Sequence, residues 1–101
     1  EYTKGLTLYV TENGMAAPDS EQNGAVEDHH RIDNLNAHTA AVRAAIADGV
    51  PVKGYYIWSL MDTYEWALGY EKRFGLIHVD FDSLRRSPKA SYHALASALA
   101  R

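Results

Sequence analysis

Cysteine is absent from the 101 residues, which excludes a disulfide framework and thiolate zinc sites. No apolar run approaches the roughly 20 residues that span a bilayer. No signal-peptide pattern is visible, and the chain opens at Glu1 without an initiator methionine. Positive charge is scarce: 10 Lys and Arg stand against 13 Asp and Glu, for a formal net charge of −3. No field therefore invites nucleic acid or an acidic membrane surface. Repeats and low-complexity tracts are missing as well. What remains, 47% hydrophobic and 23% charged, is ordinary globular composition, neither a disordered tail nor a coiled coil. Length alone gives one small domain.

The apolar residues fall into short blocks. Residues 6–11, LTLYVT, read as a buried strand between Gly5 and Asn13-Gly14. Residues 15–28 are polar, with Pro18 and Gly24, and form a loop long enough to be functional or disordered. Over 29–48, Ile32, Leu35, Thr39, Val42 and Ile46 recur at helical spacing, and Gly49 sits where a helix ends. Residues 54–61, GYYIWSLM, are almost uniformly apolar, as in a strand buried on both faces of a parallel sheet. GLIHVDF, 75–81, is a further short strand. Ser87-Pro88 reads as an N-cap followed by a first-turn proline, opening a helix that carries Tyr92, Leu95 and Leu99. The order is β-α-β-(β)-α. Two strands leave both sheet edges open and one face uncovered, so the chain reads as part of a larger α/β object.

The polar residues gather at one end of that frame. Glu12 follows the first strand. Trp58 lies on the second, and Asp62, Glu65 and Trp66 follow it. Parallel α/β sheets bind ligands outside the carboxyl ends of their strands. Carboxylates and indoles together suit a sugar, whose C–H faces lie on rings while its hydroxyls pair with carboxylates. Glu12 could also be no more than part of a hairpin turn at Asn13-Gly14. That reading fails because MAAPDSEQ, 15–22, is no returning strand. Glu65 alone would ordinarily be a solvated loop charge. His30, Asn34 and His38 share a helical face that reads as solvated, with no metal-binding pattern around it. Arg73 and Arg85 read as surface or structural ion pairs, and Lys89 as solvated.

Four stretches, YVTENG at 9–14, GYYIWSLMDTYEW at 54–66, YEKRFGLIHVDF at 70–81 and RSPKAS at 86–91, resemble the C-terminal end of glycoside hydrolase family 1, the β-glucosidase family. EDHHRIDNL, 27–35, fits the same pattern, so the resemblance covers essentially the whole chain. It implies the C-terminal quarter of a (β/α)8 TIM barrel, strands seven and eight with their helices, with residues 1–101 one part of a single glycosidase domain. It makes Glu12 the nucleophile and assigns Trp58, Glu65 and Trp66 to the glycone. Glu65 then takes the O4 and O6 hydroxyls, Trp66 lies near O3 and O4, and Phe74 lines the same pocket. It further implies a cis peptide at Trp58-Ser59. The departures at Met61, Thr63 and Tyr64 avoid the sugar-contacting positions. Relatives acting on 6-phosphoglycosides lack the Glu-Trp pair, so an unphosphorylated sugar is favoured here.

The family's acid/base glutamate sits in an Asn-Glu-Pro motif, and no such tripeptide occurs in this chain. The expected activity is retaining hydrolysis of β-glucosides or short oligosaccharides, with no metal or organic cofactor. The expected partners are that substrate and the N-terminal remainder of the barrel as another chain, with no nucleic acid and no membrane. The segment alone is expected to be inactive. A non-hydrolytic sugar-binding or scaffold barrel, or a transglycosylase, stands as the alternative. Cell location is unknown from these residues, the cytoplasm being favoured.

Overall fold

A computed structural model describes residues 4–100. Strand β1 spans Leu8–Asn13, helix α1 His29–Ala47 and strand β2 Val52–Ile57. A single 3-10 turn follows at Trp66–Leu68, then strands β3, Ile77–Val79, and β4, Arg86–Pro88, and helix α2, Ala90–Leu99. β1 and β2 pair in parallel, with α1 between them in sequence, and the register runs from Leu8↔Val52 to Asn13↔Ile57. The carboxyl ends of both strands therefore meet at one rim, where Trp58 N–H donates to the Asn13 carbonyl at 2.9 Å.

α1 starts and stops where its sequence dictates. Gly49, at φ 89°, takes the left-handed position just past the helix that a Cβ would oppose. Leu35 is buried, Ile32, Thr39 and Val42 are half-buried, and Ile46 is exposed. The expected solvated face at His30, Asn34 and His38 is only partly so: Asn34 Oδ1 and His38 Nδ1 are covered and have no hydrogen-bond partner.

Three other expectations are corrected. The two parallel strands are not buried: Leu6, Tyr9 and Tyr56 are exposed, because a two-stranded sheet covers neither its edges nor both its faces. β2 also stops at Ile57, short of residue 61, where the cis peptide Trp58-Ser59 turns the chain. Ser87-Pro88 does not open α2. These residues form β4, which pairs antiparallel with β3 in the register His78↔Ser87. Ser87 Oγ donates to Glu21 instead of capping a helix, and Pro88, with no N–H to offer, is tolerated in a short edge strand.

The loop over 15–28 is ordered. It pairs with the chain near the cavity, Ala17 and Arg73 exchanging two backbone hydrogen bonds of 3.0 Å, and it buries Ala17, Val26 and Asp28. The interior beneath the rim is largely polar. Asp28, Arg31, Asp62, Lys89 and Ser91 are all buried.

Candidate functional site

Glu12, the penultimate residue of β1, opens into a cavity of about 520 Å³ at the rim. Its lining is Glu12, Gly14, Trp58, Glu65, Trp66 and Phe74. The five residues singled out in the sequence thus face one space, and Gly14 joins them. Each arrives from a different local cause. Trp58 is placed by the join of the two strand ends. Phe74 is tied to it, since Ser59 N–H donates to the Phe74 carbonyl at 3.1 Å. Glu65 heads a tight turn, its N–H donating to the Gly69 carbonyl at 2.7 Å and its carbonyl accepting from Leu68 N–H at 2.8 Å. Trp66 sits in that turn at φ 44°, a conformation that costs an aromatic residue energy, and its indole is 83% exposed.

Asn13-Gly14 is not a hairpin turn. Gly14 is required by close approach: a Cβ there would lie 1.8 Å from the Trp58 carbonyl oxygen and 3.6 Å from the Phe74 ring. Beside it, Tyr55 Oη donates to Asn13 Oδ1 at 2.5 Å, and burial pushes the Tyr55 phenol pKa above its ordinary value.

Asp62 does not join the cavity. It turns into the interior, where its carboxylate accepts from four donors: Gly75 N–H at 2.9 Å, Val79 N–H at 3.3 Å, Arg73 at 2.7 Å and Lys89 at 2.8 Å. Burial alone would raise its pKa. The hydrogen bonds from Lys89 and Arg73 outweigh that and hold the carboxyl below its usual value. Gly75 lets the backbone come this close, since a Cβ there would lie 2.3 Å from the Asp62 nitrogen.

Lys89 is likewise not solvated. It is fully buried, and Nζ donates both to Asp62 and, at 2.6 Å, to Asp19 Oδ2. Arg31 extends the cluster, pairing with Asp19 at 2.7 Å and with Asp28, and donating to the Arg73 carbonyl at 3.0 Å. Asp28 in turn accepts from Ser91 N–H at 2.9 Å, so an acid beside α1 satisfies one of the first-turn N–H groups of α2. Three acids, Asp19, Asp28 and Asp62, balance three bases, Arg31, Arg73 and Lys89. Buried charges persist when paired and hydrogen-bonded in this way. The sequence shows only that acids and bases both occur in 19–31 and 62–89; which of them turn inward is set by the tertiary fold.

A second cavity, of about 420 Å³, lies over the β3–β4 hairpin and is lined by Glu21, Arg73, His78, Asp80, Phe81, Asp82 and Arg85. Burial and the nearby Arg73 hold the His78 pKa below its usual value. Among the described residues no group of three or more His, Asp or Glu is placed to hold a metal ion. No helix of the described residues is long and apolar enough to cross a membrane.

A parallel strand pair ends in carboxylates and indoles around one cavity, on a two-stranded sheet that is only a portion of an α/β fold. The model of glycosyl hydrolase family 1 matches residues 1–100, and the chain belongs to that family. It is 52% identical over 93 residues to the bifunctional β-D-glucosidase/β-D-fucosidase of Bifidobacterium breve, covering 87% of this chain and 20% of that protein. It is 50% identical over 91 residues to the 6-phospho-β-galactosidase of Streptococcus mutans, covering 90% of this chain and 19% of that protein. The crystal structure of the AHE enzyme from Alicyclobacillus herbarius superposes with a TM-score of 0.94 at 46% identity, over 97% of this chain and 22% of that one. The chain thus spans about a fifth of the length of its relatives and folds as a portion of their barrel.

Proposed function

We propose that this chain supplies the nucleophile and half of the glycone site of a retaining β-glycosidase acting on unphosphorylated β-glucosides or short oligosaccharides. β1 and β2 are then strands seven and eight of a single (β/α)8 domain. The remainder of the barrel is its partner in the reaction and brings the acid/base glutamate that these residues lack. The observation that carries the reading is the shared cavity of Glu12, Trp58, Glu65, Trp66 and Phe74.

The chemistry is double displacement. The Glu12 carboxylate attacks the anomeric carbon while the partner's acid protonates the departing glycosidic oxygen. A glycosyl–Glu12 ester forms and the aglycone leaves as an alcohol. Water, giving its proton to the same partner carboxylate, then cleaves the ester and frees the sugar and Glu12. Glu65 and the indoles hold the glycone, and positioning of this kind can lower a barrier by several kcal/mol.

Overall identity does not choose between plain and phosphorylated sugars, because both kinds of relative match equally well. The local residues support a plain sugar. Glu65 would repel a phosphate, and none of the lining residues is a cation that could accept one. The test is Glu12→Gln in the complete enzyme. Hydrolysis of an aryl β-glucoside is expected to fall at least about a thousandfold, roughly 4 kcal/mol of barrier, with the fold intact. Near-normal turnover would refute the nucleophile assignment.

A further inference from the structure

Lys89 takes no part in the chemistry of the rim cavity. Lys89 lines neither cavity, yet it is fully buried, and its Nζ joins carboxylates on two different loops. Asp19 belongs to the loop that leaves β1 behind Glu12 and Gly14. Asp62 belongs to the loop that leaves β2, between Trp58 and Glu65. The bridge is therefore placed to fix the spacing between the attacking carboxylate and the sugar's anchors.

Both arms have rigid continuations. On the Asp62 side, the same carboxylate grips Gly75 and Val79 N–H, and so holds the segment that carries Phe74. On the Asp19 side, Arg31 pairs with Asp19 and also donates to the Arg73 carbonyl, one residue before Phe74. Lys89 itself is fixed by its backbone N–H, which donates to the Leu76 carbonyl at 2.9 Å. Every loop that lines the cavity is thus attached to this cluster through at least one charge-assisted hydrogen bond.

We propose that Lys89 is a positioning residue for the glycone site, setting the separation of Glu12 from Glu65 and Trp66 through Asp19 and Asp62. This rests on the reading of Glu12 as nucleophile. A lysine removed from such a site leaves two buried carboxylates facing each other, and their repulsion spreads the two loops. Misplacement by about 1 Å is enough to cost a reaction up to roughly a hundredfold.

The experiment compares Lys89→Met, Lys89→Arg and the control Arg85→Met in the complete enzyme. Competent sites are first counted by trapping the glycosyl–enzyme with a slow 2-fluoro aryl glucoside and locating the label on Glu12. Per trapped site, Lys89→Met should raise KM for an aryl β-glucoside about tenfold or more and lower kcat. Lys89→Arg should recover part of that loss, and Arg85→Met should match the wild type. A lysine that served folding alone would reduce the number of trapped sites and the thermal midpoint while per-site KM stayed at the wild-type value; that result overturns the proposal. Should Lys89→Met yield no folded protein, Asp19→Asn cuts one arm of the bridge and decides the matter by the same per-site KM. Absence of label on wild-type Glu12 would overturn the functional reading, and this inference with it. Label on Glu12 with unchanged per-site KM overturns the inference alone.

Discussion

At the residue scale, Gly14 shows how one missing methyl group shapes the rim. Its Cα rests against the Trp58 carbonyl, and a Cβ there would lie 1.8 Å from that oxygen. Gly14→Ala must push the end of β1 away from Trp58. The expected cost in the complete enzyme is about 1–3 kcal/mol of stability, as for other overpacked sites. kcat/KM should fall about a hundredfold as Glu12 moves with the loop. Thermal unfolding and kinetics check both, and wild-type values for both would mean the contact carries no constraint. Residues that line the rim cavity were legible in the sequence where polar groups and indoles follow a strand end: Glu12 after LYVT, and Trp58, Glu65 and Trp66 on and after the second strand. Phe74 followed only from the family resemblance. The hairpin reading of Asn13-Gly14 could be rejected from the sequence, but the reason for glycine at 14 could not be read there, because its cause is a neighbour 44 positions away. Asp62 and Lys89 were misread because burial of a charge depends on partners that no local pattern reveals.

At the element scale, the hairpin and α2 hang on the Asp62 carboxylate and its neighbours. The folded pKa of Asp62 lies below its ordinary value of 3.8, because the hydrogen bonds from Lys89 and Arg73 overcome the effect of burial. A depressed carboxylate pKa gives stability that is fully present above the unfolded value and lost as pH falls through the folded one. Comparing wild type with Asp62→Asn by urea unfolding, the stability gap should be constant from neutral pH down to about pH 5 and should narrow progressively below 3.8. A gap that stays fixed through that acid range would deny the carboxylate its ion-pair role. The pattern of elements itself was readable. Helical spacing gave α1, and apolar runs gave β1, β2 and β3. β4 was not, because Ser87-Pro88 satisfies the local rule for a helix start. Pairing with Ile77–Val79 overrides that rule, and the cap of α2 comes from Asp28, 62 positions before Ala90.

At the scale of the whole molecule, the described residues form a slab rather than a ball. Their extents are 48 × 33 × 18 Å and their radius of gyration is 15.4 Å, against about 13 Å for a compact domain of 100 residues. Leu6, Tyr9, Tyr56, Leu60 and Leu99 face outward on this slab, as apolar surface that a closed barrel would cover. The purified 101-residue chain is therefore expected to associate with itself and to show no hydrolysis of an aryl β-glucoside. Adding the remainder of the barrel should restore activity. Turnover by the chain alone would show that no residue outside it is needed. Finally, the neutral sextet of charges, buried at its centre, bears on behaviour in brine. Counter-ions have no path to a fully covered ammonium, and at 1 M salt the Debye length of about 3 Å weakens only pairs that water reaches. The partly exposed Arg85–Glu21 pair weakens under those conditions while the Asp19–Lys89–Asp62 stitch endures, leaving the two loops tied together in strong salt.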